Sequence, residues 1–77
     1  STILVRSCFW ANKAKDEALL GACKAVNGIH ADISALGQDK SLYGRAEREF
    51  KNAGVANHPG DKGMAAIADA LMKALAR

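Results

Sequence analysis

The sequence predicts a mainly α protein, a small three-helix bundle with an N-terminal extended arm or short strand. Three observations lead there. Apolar residues recur at Leu19, Ala22, Val26, Ile29, Ile33 and Leu36, spaced three and four apart as on one face of a helix. A second stripe of the same period joins Met64, Ile67, Ala68, Leu71 and Leu75. Residues 2–10, with Thr2, Ile3, Val5, Phe9 and Trp10, favour a strand, yet no second strand-like run is evident to pair with them.

Taken in chain order, residues 1–10 form an apolar arm that needs a partner for its backbone, with Trp10 as an anchor. Helix 12–36 follows. Asn12 suits its N-cap, Asp16 and Glu17 suit the positive end of its dipole, and Gly37 stands where a left-handed residue would end it. Gly21 and Gly28, seven apart and near Ala25, Ala31 and Ala35, give this helix a small-residue side. Each glycine costs about 0.5–1 kcal/mol against alanine inside a helix, and close approach by another helix would offset that. After "GQDK" a helix over 41–53 turns Leu42, Tyr43, Ala46 and Phe50 inward and stops at Gly54. The loop "VANHPGD" contains Pro59, which cannot continue a helix, and Asp61, which can cap the next one at 62–76.

Seventy-seven residues make one small domain, near the size at which a core needs help from a partner chain. Charges of both signs are interspersed, and the net charge of +3 favours acidic partners only mildly. No apolar stretch reaches the roughly 18 residues of a membrane span, and "TILVRSCFW" lacks the basic start and small-residue exit of a signal peptide. The expected setting is therefore cytoplasmic or a soluble assembly, with no membrane partner. Two cysteines without a CxxC spacing, Cys8 and Cys23, read as reduced thiols rather than a disulfide scaffold.

The stretch 20–37 gathers Cys23, His30 and Asp32, but helical spacing keeps them from acting together: seven residues place Cys23 and His30 about 10.5 Å apart. A site assembled from His58 with Cys8 or Asp61 is the remaining route to catalysis. With two histidines, no phosphate-cradling glycine loop, no HExxH and no paired carboxylates, the expectation is a non-enzymatic chain without cofactor or metal.

"DISALGQDKSLYGRAEREF" resembles the helix-turn-helix pattern. Leu36 and Gly37 match the end of its first helix, Ser41 the start of the second, and Tyr43 and Ala46 later buried positions, while Ile33 and Gln38 depart from it. The resemblance implies a recognition helix over 41–53 that presents Lys40, Arg45, Arg48 and Lys51 to a major groove. A ribbon-helix-helix dimer built on residues 2–8 is a variant of the same alternative. The leading expectation is a binding or assembly protein, regulatory or structural. It meets a protein partner, a second copy or a larger assembly, through Ile3, Val5, Phe9, Trp10, Gly21 and Gly28.

Overall fold

The computed structural model describes residues 2–76. Its first third is a β-α-β unit: strand β1 (Leu4–Arg6), helix α1 (Lys13–Ala25) and strand β2 (Ile29–Ala31). The two strands pair in parallel, Leu4 with Ile29, Val5 with His30 and Arg6 with Ala31. Three successive 3-10 turns follow, at Leu36–Gln38, Lys40–Leu42 and Gly44–Ala46, then the short helix α2 (Ala53–Ala56) and the long helix α3 (Asp61–Leu75).

The chain is mainly helical, as expected, but the expected three-helix bundle is not what these elements build. Helix α1 packs on both strands, and α3 packs on both strands and on the first two 3-10 turns, so the small sheet lies between them. Alternation along the strands explains how one sheet serves two helices. His30 turns toward α1, where it shares a groove with Lys13, Asp16, Glu17 and Leu20. Ala31 and Ile33 have the opposite parity. Ile33 joins Phe9, Tyr43 and Ile67 in the core, with Leu36, Leu42, Ala70 and Leu71 packed against it.

Helix 12–36 is corrected to α1 followed by β2. Its start is as expected: the Asn12 side chain accepts the Lys15 amide at 3.0 Å, and Asp16 stands in the first turn. Its end comes eleven residues early. Asn27 adopts a positive φ of 53°, a conformation asparagine tolerates better than most residues, and the Gly28 amide closes the helix on the Cys23 carbonyl at 2.8 Å. From there Ile29, Ala31 and Ile33 alternate rather than spiral. The "NG" pair at 27–28 is the turn signal, and the three-four spacing across it joins two elements of different period.

The same strand supplies what residues 2–10 lacked. The arm is the first strand of the sheet, and Phe9 beyond it is buried in the chain's own core. The helix at 41–53 is replaced by 3-10 turns. The Asp39 carboxylate accepts both the amide and the hydroxyl of Ser41, at 3.0 and 2.7 Å, and this side-chain turn competes with helix propagation. Asn52, whose side chain accepts the Gly54 amide, then starts α2, so Gly54 lies inside a helix instead of ending one. The last helix forms over Asp61–Leu75, within a residue of the expected 62–76, with Gly60 as its cap residue in place of Asp61.

Gly37 has a role other than the left-handed cap. Its φ is negative, and a Cβ there would lie 2.8 Å from the Phe9 carbonyl carbon and closer still to the Phe9 oxygen. Only glycine lets the turn at 36–38 pass this close to the segment leaving β1. The Tyr43 hydroxyl fixes the approach by donating to the Gly37 carbonyl at 2.6 Å.

Candidate functional cleft at the carboxyl end of the strands

In parallel α/β sheets the strand ends that feed into loops form crevices, because each chain turns away there into a helix. A cavity of about 490 Å³ lies at that place. It is lined by Arg6, Cys8, Phe9, Trp10 and Lys15 from the β1-α1 segment, and by His58, Pro59, Met64 and Ile67 from the start of α3 and the loop before it. Phe9 and Ile67 are buried and make its floor. Trp10 and Met64 remain 47% and 56% exposed.

Two sets of hydrogen bonds brace the segments around the cleft. Ser7, buried beside Arg6, accepts the Ile33 amide on its hydroxyl at 2.7 Å and donates to the Asp32 carboxylate at 3.2 Å, tying the end of β1 to the segment after β2. Tyr43 and Pro59 form an isolated antiparallel bridge. On either side of it the Gly44 amide donates to the His58 carbonyl and the Gly60 amide to Leu42, both at 2.8 Å. Across the cleft the Trp10 indole N–H donates to the Asn57 carbonyl at 3.2 Å, and the Trp10 and His58 rings meet edge to face with centroids 4.9 Å apart. Phe9 and Trp10 stand edge to face as well.

The titratable groups here have distinct states. His58 Nδ1 lies in hydrogen-bond contact with the Gly54 carbonyl. A carbonyl only accepts, so Nδ1 carries the proton, and in the neutral ring Nε2 is left as an acceptor. The Cys8 thiol is pushed up by its hydrogen bond to the Asp16 carboxylate, then by burial and by that carboxylate's charge. It stays protonated at neutral pH, the reverse of what an activated nucleophile requires. Asp16 itself is lowered, chiefly by the Cys8 amide that donates to it at 2.7 Å and then by Asn12. Asp32 is lowered by the amide and hydroxyl of Ser34, and Asp39 by the hydroxyl and amide of Ser41. His58 and Cys8, considered together from sequence, do share a cleft, in which the His58 ring is bonded to the Gly54 carbonyl and the Cys8 thiol is held by the Asp16 carboxylate.

The other residues singled out from sequence are dispersed. Ile3 is exposed before β1, and Val5 lies within β1, half-buried. Gly28 packs inside the chain, where a Cβ would come within 3.0 Å of the Ile3 carbonyl and 3.1 Å of the Cys23 sulfur. Gly21 faces open space on α1. Phe9, expected at a partner interface, is spent on the core.

Lys40, Arg45, Arg48 and Lys51 do not share one helix. Lys40 lies over the Tyr43 ring at 4.8 Å and Arg48 over Phe50 at 5.0 Å, while Arg45, Arg48 and Lys51 line a shallow groove that also contains Glu49. No recognition helix exists at 41–53, so the helix-turn-helix geometry is absent. The ribbon-helix-helix variant does not describe the order of elements either, because β1 is followed by one helix and then by its parallel partner β2. Cys8 and Cys23 are both free thiols. Among the described residues, no group of three or more histidine, cysteine or carboxylate side chains is placed to hold a metal ion, and no helix is long and apolar enough to cross a membrane.

No family model, curated protein or solved structure matches this chain.

Sequence reasoning missed the cleft because its two walls, residues 6–15 and 58–67, are far apart in the chain and come together only in the tertiary structure, where β1 pairs with β2 and α3 packs on both strands. The available signal was the pair "NG" at 27–28. Once it ends the first helix, residues 29–33 become the partner strand of residues 4–6.

Proposed function

We propose that this chain is a non-enzymatic binding and assembly protein that joins a second copy of itself through the free edge of β1. The observation behind this reading is a groove of about 400 Å³ lined by Leu4, Val5, Arg6, Ser7, Cys8 and Leu19, five consecutive residues of the strand and its exit together with one residue of α1.

The physical argument starts from the ladder. The Ile3 carbonyl and the Ser7 amide bond to β2, accepting from Ile29 at 2.8 Å and donating to Ala31 at 3.0 Å. Backbone groups of successive strand residues point to alternate sides, so those of Leu4 and Arg6 point away from β2. Among the described residues no further strand receives them. A two-stranded sheet is marginal by itself, and an open edge is a template for another strand. Exposed Ile3 and Val26 beside the strands add apolar surface for a partner to cover. A second copy related by a two-fold axis would pair β1 with β1 across the groove, giving a closed dimer.

The test is molar mass by light scattering over a range of concentrations, for the native chain and for Leu4→Pro. Proline removes the outward amide while leaving the bonds to β2, and edge strands tolerate it. The expected result is a native chain of at least twice the 8.1 kDa monomer mass, reduced to a monomer by Leu4→Pro with its circular dichroism unchanged. A native chain that stays monomeric at millimolar concentration overturns the reading, as does a Leu4→Pro protein that is folded and still associated.

A further inference from the structure

We propose that the cleft at the carboxyl end of β1 binds a small ligand that has an apolar body and one anionic group, the chemistry of a medium-chain carboxylate. This is independent of the strand-edge reading. Its volume of about 490 Å³ falls in the range of small-molecule sites, which are concave and mostly apolar with few polar groups.

The lining divides by chemistry. Phe9, Trp10, Pro59, Met64 and Ile67 form an apolar trough. Water meets Trp10 and Met64 over about half of their surface, although neither is drawn into the chain's own core, and a ligand chain lying between them would remove that surface from solvent. The charge is of one sign. Arg6 and Lys15 are the ionised side chains of the lining, and no carboxylate is among the nine residues. Asp16, next to Lys15 in sequence, is occupied by the amides of Cys8 and Asn12. Arg6 donates one bond from its guanidinium, to the Ser7 carbonyl at 3.0 Å, and keeps further donors for an anion. An apolar cation would meet two like charges in the cleft, and an apolar alcohol would cover the trough but leave the cations unanswered. The rigid part of the site is the Trp10 indole, held by the Asn57 carbonyl and the His58 ring.

Trp10 is the sole tryptophan, so its fluorescence reports on the cleft alone. The experiment titrates the protein with octanoate, octanol and octylamine at equal ionic strength. Saturable change with octanoate, at a concentration at least threefold lower than for octanol and with none for octylamine, is the expected result. Arg6→Gln and Lys15→Gln should each weaken octanoate at least twofold without altering octanol, since both side chains are exposed and their removal leaves the core intact. Met64→Asp should abolish octanoate binding while the circular dichroism stays native. Equal response to all three probes, preference for the amine, or no saturable response to octanoate overturns the proposal.

Discussion

Replacing Gly37 by alanine tests the packing argument at its tightest approach to backbone. A Cβ at residue 37 would lie 2.8 Å from the Phe9 carbonyl carbon and nearer still to its oxygen, where ordinary contacts begin at 3.4 Å. The obstacle is backbone, so no rotamer change relieves it; one segment must retreat by more than 0.6 Å, the difference between those two distances. Phe9 lies in the core with Ile33, Tyr43 and Ile67, and Trp10 next to it walls the cleft, so retreat opens packed surface on both sides. Overpacking of this kind costs about 1–3 kcal/mol and more when backbone must move. A chain of 77 residues has about 4–12 kcal/mol in all. At roughly 4–8 °C per kcal/mol for a domain of this size, a loss of about 3 kcal/mol lowers the midpoint by at least about 12 °C.

Gly21→Ala is the matched control. Nothing lies within 4 Å of a Cβ there, and the residue is in the middle of α1, so alanine should raise stability by about 0.5–1 kcal/mol. Thermal denaturation followed by circular dichroism, with Trp10 fluorescence as second probe, measures both. A Gly37→Ala protein that melts within about 2 °C of the native chain would refute the close approach of residues 37 and 9. A Gly21→Ala protein less stable than the native chain, or altered in its association, would show that a partner packs on that side of α1.

Two further outcomes are expected. Ser7→Ala leaves the Ile33 amide buried without its acceptor and removes a donor from Asp32, and should cost about 1–3 kcal/mol; an unchanged urea midpoint would rule out that tie between the two strand ends. Asp16 and Asp32 are both lowered by the donors around them, so their contribution is complete above the unfolded carboxylate range near about pH 4 and is lost as pH falls through the folded values. The urea midpoint should therefore drop on acidification below about pH 4, and less steeply in the double variant Asp16→Asn and Asp32→Asn; parallel pH profiles for the two proteins would contradict the assignment.

Local signals reached as far as local causes extend. The N-cap at Asn12, the acidic first turn at Asp16 and the span of the last helix are consequences of residues within a turn or two of one another, and the structure has them where the sequence places them. The face of that helix is not: Gly63, Ile67 and Ala74 are buried, while Met64, Ala68 and Leu75 of the expected stripe are exposed. Tertiary pairing decided the rest. Ile29, Ala31 and Ile33 satisfy both a helical and an alternating period over so short a span. The outcome turns on whether their backbone groups find partners twenty-five residues away on β1, which no window of the sequence contains. Gly37 likewise carries the same letter as a cap and as a point of close approach, and only the position of Phe9 distinguishes them. The cleft depends on both decisions, since its walls meet through strand pairing and the turn at 37. A sequence specifies periodicity and capping residue by residue, whereas burial and hydrogen-bond closure are settled between distant segments, and the candidate site of this protein is built where those segments meet.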